Sequence, residues 1–121
     1  MKSPDNAIAF LGPTGTYSHE ATLAFAKRLG IESPDFIECT SFDEVFDCVD
    51  RGRCEFGVVA KENSIEGPVT ATLDGFALKS TSVILGEEVV DIHHCLVVNP
   101  DAKLEDITTV ASHAQGLAQC R

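Results

Sequence analysis

The sequence has 121 residues, 44% of them apolar, and a formal charge of -10. That length suits one domain, or one and part of another, with apolar content enough for a packed core and too high for a disordered chain. Nineteen acids against nine Lys and Arg leave no basic patch for a phosphate backbone, which excludes nucleic acid as a partner class.

The start, "MKSPDNAIAF", is interrupted by Pro4 and Asp5 and is too short in its apolar part for a secretory signal. Residues Ala7 to Leu11, "AIAFL", form an apolar run closed by Gly12-Pro13 and predict a buried strand. A helix is expected from about Ser18 to Leu29, with Ala21, Phe25 and Leu29 one turn apart and Gly30 as its stop. Phe36 to Cys39 reads as a second strand. Ser41 and Glu44 form a capping box for a second helix, whose Phe42, Val45, Phe46 and Val49 share one face and which Gly52 closes. "EFGVVA" is a third strand, and "KENSIEGP" follows it. Pro68 stands where a first helical position tolerates proline, opening a third helix with Val69, Leu73 and Phe76 on its apolar face and Gly75 weakening it.

From Thr81 to Asn99 the pattern turns rich in Val and Ile and predicts one long extended segment or two strands in series. "ITTVAS" is a further short strand. Ser112 and Gln115 then give a second capping box at the start of a helix. No stretch approaches the ~20 apolar residues of a membrane span. Five cysteines, Cys39, Cys48, Cys54, Cys95 and Cys120, are odd in number and lack any C-x-x-C spacing, which argues against a disulfide framework and against zinc. Reduced thiols in a cytoplasm are expected. His93 and His94 are neighbours in a strand-like run and point to opposite faces, so one metal site could hardly use both.

Strands alternating with helices predict an α/β layered fold with a mainly parallel sheet. Ligands of such sheets bind beyond the carboxyl ends of the strands. Three polar loops are expected at that edge: "GPTGTYSHEA", "KENSIEGP" and "ASHAQGLAQC". In the first, two glycines lead into a helix start, where free N–H groups and the dipole favour an anion, and Thr16 and Ser18 add hydroxyls. The plain alternative is a turn and an N-cap. In the second, Glu62, Asn63 and Ser64 can all face a cleft, with Glu62 an acceptor, or an acid if burial raises its pKa, and Lys61 paired with it or with a substrate carboxylate. The plain alternative is a polar turn. In the third, Ser112 and Gln115 have capping work, and Gln119 lies one turn beyond Gln115 on the same helical face.

Taken together the loops resemble those of prephenate dehydratase. That family's G-P-x-G-T-x-S-H-x-A reads here as "GPTGTYSHEA", its G-V-V-P-x-E-N-S-x-x-G as "GVVAKENSIEG", and its S-H-P-Q-x-x-x-Q-C as "SHAQGLAQC". "GEEVVDIHHCLVV" is similar to the family's stretch between the second and third marks, so the resemblance runs from about Ile8 to Arg121. Ala60, Lys61 and Ala114 depart from a usual proline, apolar residue and proline.

The resemblance implies a lobe of the type 2 periplasmic-binding-protein-like fold with the second lobe incomplete: residues 1–80 as the first lobe, residues 81–121 as the crossover and start of the second. It implies conversion of prephenate to phenylpyruvate in phenylalanine biosynthesis, a lyase reaction needing neither cofactor nor metal. Asn63, Ser112, Gln119 and Glu62 are then the catalytic candidates, and Thr16, Ser18, Ser64 and Gln115 the substrate-binding ones. The family's T-R-F motif, which carries the threonine usually held to be catalytic, does not occur here, so the chain is expected to be weakly active or inactive alone and to associate as a homodimer or exchanged oligomer. A non-catalytic small-anion-binding or regulatory module on the same fold, and an arogenate dehydratase, are the alternatives.

Overall fold

The first strand of the chain occupies the centre of the sheet. In a computed structural model describing residues 6–63, 67–93, 95–112 and 117, β1 (Ala7–Leu11) pairs in parallel with β2 (Asp35–Cys39) on one side and β3 (Phe56–Val58) on the other. The strand order is therefore β2-β1-β3. Helix α1 (Tyr17–Arg28) joins β1 to β2, and α2 (Phe42–Asp50) joins β2 to β3. The expected α/β layering with a parallel sheet is what the chain adopts.

Parallel crossovers are right-handed. The step from β1 to β2 and the step from β2 back past β1 run in opposite directions, so the two helices fall on opposite faces. The core divides accordingly. Ile8, Phe10 and Val58 pack with Ala26, Ala21 and Phe25 of α1. Ala7, Ala9 and Cys39 pack with Val45 and Cys48 of α2. With both faces covered, Ile8, Ala9 and Phe10 are all 0% exposed. That is why "AIAFL" is an unbroken apolar run and not an alternation.

Both helices are fixed by local chemistry. Thr16 caps α1, its Oγ1 accepting from the His19 amide at 3.2 Å, so the helix starts one residue before the expected Ser18. Ser41 caps α2 and accepts from the Glu44 amide at 3.1 Å. The Glu44 carboxylate reaches one residue further back than a capping box requires. It accepts from the Thr40 amide at 2.9 Å and the Thr40 hydroxyl at 2.8 Å. The amide bond first, and then the hydroxyl bond, hold Glu44 below the usual carboxylate range. The helices end at Gly30 and Gly52, as expected, with Ile31 N–H on the Ala26 carbonyl and Arg53 N–H on the Cys48 carbonyl, both at 2.9 Å.

Three thiols lie on the α2 side. Cys39, Cys48 and Cys54 are buried and free, with Cys39 and Cys48 sulfurs 4.0 Å apart, and Cys95 is exposed and free. Burial, with Cys48 close by, pushes the Cys39 thiol up to about 12, and burial pushes Cys54 up to about 11.

After β3 the structure departs from the sequence reading. Pro68 does not open a helix. It lies in β5 (Gly67–Pro68), a two-residue strand antiparallel to β4 (Glu62–Asn63), with Val69 N–H on the Lys61 carbonyl at 2.7 Å. Helix α3 begins only at Thr70 and runs to Asp74. There it widens into a π-turn, Gly75–Lys79. Glycine is needed where that turn begins: a Cβ on Gly75 would stand 2.3 Å from Cε2 of Phe46, which is itself packed edge-on against Phe76 at 4.9 Å. The buried side of this element is Thr72 and Gly75, while Leu73 of the expected apolar face is 43% exposed.

The strands expected within 81–99 and in "ITTVAS" are not formed among the described residues, whose one further regular turn is a 3-10 helix at Leu104–Asp106. No sheet edge receives the segment, and Val83, Val89 and Val97 are 85%, 87% and 88% exposed. Side chains of the first half hold its start instead. Asp50 Oδ1 accepts from the hydroxyls of Ser80 and Ser82, both at 2.8 Å, and of Thr81 at 3.4 Å. These bonds, Ser82 first, lower the Asp50 pKa. Arg28 donates to the Glu87 carbonyl at 2.8 Å and pairs with Glu88 at 2.9 Å. The Tyr17 hydroxyl donates to the His93 carbonyl at 3.1 Å. Six extended residues span roughly 20 Å and the eleven-residue rise of α1 about 17 Å, so residues 87–93 run beside α1 from its last turn to its first. The capping box expected at Ser112 and Gln115 has its second member outside the described residues.

Candidate functional site

A strand order of β2-β1-β3 has its topological switch point between β1 and β3, and the crevice lies outside their carboxyl ends. Two of the three expected loops leave the sheet at that edge. Residues 12–16 leave β1, residues 59–63 leave β3, and the strands are neighbours in register Phe10↔Val58. Thr16 and Ser18 are therefore brought to the same edge as Glu62 and Asn63. Ser112 is exposed in the stretch without strand pairing. Ser64, Gln115 and Gln119 lie outside the described residues.

The turn after β1 is tied down on every side. Gly12 N–H donates to the Cys39 carbonyl at 2.9 Å. Pro13 follows through a cis peptide bond and has no N–H to place. Thr14 gives both its amide, at 3.0 Å, and its hydroxyl to Glu38 Oε1. Gly15, with φ of +96° where a side chain would be strained, donates its N–H to His19 Nδ1 at 3.0 Å. The expected set of free loop amides is thus narrower than the glycines suggest. Amides 12, 14 and 15 are satisfied within the chain.

What remains for a ligand is the first turn of α1. Thr16 is committed as the cap, accepting from His19 N–H and donating to the Leu11 carbonyl at 3.4 Å. The Ser18 carbonyl accepts from the Thr22 hydroxyl at 2.6 Å, but the Ser18 hydroxyl and amide have no partner among the described residues. They sit half-buried at the positive end of a twelve-residue helix, where a carboxylate is favoured. Tyr17 adds a phenol at the rim, linked to His93.

On the β3 side, Lys61 lies 3.6 Å from the Glu87 carboxylate and not beside Glu62. Both ends of that pair are more than half exposed, so it contributes little, of order 0–1 kcal/mol. Glu62 is exposed, so the burial on which an acid role would rest is missing. Among the described residues no three His, Cys, Asp or Glu side chains are grouped to hold a metal ion. No helix of the described residues is long and apolar enough to cross a membrane.

Two residues of this edge were not singled out for it in the sequence. Glu38 stands at the carboxyl end of a buried strand, one residue before its last, as Glu62 stands after β3; that shared placing is the signal that could have found it. His19 reads as a surface histidine on its helix. The structure instead stacks its ring on Phe10, with centroids 5.3 Å apart and planes at 22°, and sets it edge-on to Phe36 at 5.7 Å.

A sequence model of prephenate dehydratase matches residues 8–121. The chain belongs to the prephenate dehydratase family. It is 46% identical over 114 residues to a bifunctional chorismate mutase/prephenate dehydratase of Pseudomonas aeruginosa, covering 94% of this chain and 30% of that protein. It is 36% identical over 123 residues to a prephenate dehydratase of Corynebacterium glutamicum, covering all of this chain and 39% of that one. The chain thus spans about a third of the length of the curated relatives it matches. An X-ray structure of prephenate dehydratase from Streptococcus mutans superposes with a TM-score of 0.56 at 29% identity, over 62% of this chain and 37% of that one.

Proposed function

We propose that the chain binds prephenate in the crevice between β1 and β3 and takes part in its conversion to phenylpyruvate. The observation that supports this is that the loops carrying Thr16–Ser18 and Glu62–Asn63 follow the carboxyl ends of the two strands flanking the switch point of a parallel sheet. Prephenate is a dianion with a ring hydroxyl. In the reaction the bond to the ring carboxylate breaks and its electron pair enters the ring. The hydroxyl leaves with its own pair and one proton, as water. Carbon dioxide, water and phenylpyruvate balance prephenate plus that proton, and aromatisation drives the step without an outside oxidant. No cofactor is called for.

The roles follow the polarity of the positions. Ser18 and the first turn of α1 hold one carboxylate by neutral donors and the helix dipole. Thr16 fixes that turn, with Ser64 and Gln115 as further binding groups. Asn63, Ser112 and Gln119 are the groups we assign to the leaving hydroxyl and the ring carboxylate, with Glu62 accepting. A module that binds the anion without turnover is the second reading, and the exposure of Glu62 favours it.

Titration calorimetry separates these. Prephenate is expected to bind the wild-type chain. Ser18→Ala should weaken it by roughly 10- to 100-fold, the worth of one charge-assisted hydrogen bond, while the melting temperature stays unchanged. Failure of prephenate to bind, or equal binding by the variant, would reject the crevice. Binding with no phenylpyruvate formed, even slowly, would leave the anion-binding module.

In this reading residues 1–80 are the first lobe and residues 81–121 lead into a second, in a periplasmic-binding-protein-like arrangement, and the protein acts in the cytoplasm. Four apolar side chains of the unpaired segment, Val83, Leu85, Val89 and Val97, are between 71% and 88% exposed. Surface of that kind associates. We expect a homodimer or exchanged oligomer in sedimentation at micromolar concentration, and a compact monomer there would contradict it.

A further inference from the structure

We infer that His19 is a positioning residue of this site: through Nδ1 it holds the Gly15 amide, and so sets the turn that presents Ser18 to a carboxylate ligand. The ligand part of this rests on the substrate reading above; the clamp itself does not. Gly15 N–H donates to Nδ1 at 3.0 Å, so Nδ1 carries no proton and the ring hydrogen of the neutral imidazole is on Nε2. The backbone of the same residue is also engaged, His19 N–H donating to Thr16 Oγ1 at 3.2 Å. One residue thus grips the turn at two points, its middle and its end.

The imidazole is aimed by its surroundings. Phe10, 0% exposed on the central strand, supports one ring face, and Phe36 of β2 blocks it edge-on. Phe10 and Phe36 are in turn set edge to face at 5.8 Å. The ring therefore transmits the position of two core strands to a glycine whose backbone has little stiffness of its own. Glu38 holds the preceding residue, Thr14, in the same manner. One consequence is that the Gly15 amide is no anion donor here. A bound carboxylate is met one helical turn later, at Ser18.

Three replacements separate the two things the ring does. His19→Asn keeps an acceptor near the Nδ1 position and loses the ring. His19→Phe keeps the ring and loses the acceptor. His19→Leu loses both. In the wild-type chain, imidazole nitrogen NMR is expected to show Nε2 protonated and Nδ1 not, and the Gly15 amide to be protected from hydrogen exchange. His19→Asn should keep that protection and bind prephenate within about 3-fold of wild type, while His19→Phe and His19→Leu lose protection and roughly 3- to 10-fold or more in affinity. A protonated Nδ1, an unprotected Gly15 amide in the wild type, or rescue by Phe in place of Asn would overturn the clamp. Absence of prephenate binding by the wild type would instead count against the substrate, since the exchange pattern decides the clamp alone.

Discussion

Phe10→Ala is expected to cost about 3–5 kcal/mol of stability, the range for truncating a buried aromatic. Phe10 has no exposed surface, lies on the strand that both others pair with, and carries Phe36 and His19 on its ring. Truncation opens a cavity between β1 and α1 that β1, paired on both sides, cannot move to close without breaking a parallel ladder. A domain this size has only about 5–15 kcal/mol in hand, so the variant should be partly unfolded near physiological temperature. Urea denaturation followed by circular dichroism measures the loss. Leu23→Ala, on the half-exposed outer side of α1, is the control and should stay within about 1 kcal/mol of wild type. A Phe10→Ala loss no larger than that control would mean the α1-side core is not where the stability resides.

The second large effect is a fall in stability at alkaline pH. Cys39 and Cys54 are pushed up to about 12 and about 11 by burial, with Cys48 adding to Cys39, against an ordinary value of 9.0. In the unfolded chain these thiols lose their protons near their ordinary value; in the folded chain they keep them. Below pH ~9 both states are protonated and the buried thiols give their full stabilisation. As the pH rises from about 9 towards 12 the unfolded state alone ionises, binds fewer protons, and is favoured. At about 1.4 kcal/mol per pH unit for each thiol, the loss across the window is of order several kcal/mol. Denaturation midpoints between pH 7 and 11 should therefore drop steeply above pH 9, and less steeply in Cys39→Ala. A flat profile in the wild type would show that water reaches these sulfurs.

Much of the first half of the fold was legible because its signals are local. "AIAFL" is apolar throughout since both sheet faces are covered, and the Ser41/Glu44 pair marks a helix start within its own turn. Gly30 and Gly52 mark ends the same way. The later elements were misread where distant contacts decide. Pro68 looks like a helix opener until its antiparallel pairing with Glu62 is known. Gly75 looks like a weak point in a helix, but a ring 29 residues earlier in the chain, Phe46, needs its missing Cβ. The Val- and Ile-rich stretch after Thr81 has strand composition, yet composition cannot supply an edge to pair with.

The site divides similarly. Thr16, Ser18, Glu62 and Asn63 were singled out as polar residues after apolar runs, a sequence-level signal, and the structure places them after the carboxyl ends of β1 and β3. The fate of the glycine turn was not, because its amides are taken by Glu38 and His19. Glu38 is 24 residues from Thr14, and nothing in "DFIEC" says that β2 lies beside β1. His19 shares one turn with Gly15, but only the packing of Phe10 and Phe36 shows that its ring turns inward.

That the central strand precedes both of its neighbours in the chain has a cost during synthesis. "AIAFL" leaves the ribosome with neither neighbour yet made, and its second partner, β3, follows only some 50 residues later. At about 5–20 residues per second, that interval is roughly 2–10 seconds. Until β2 can pair, these five apolar residues have unpaired backbone on both sides, and for the rest of the interval on one, accessible to any nascent-chain chaperone or to another copy emerging nearby.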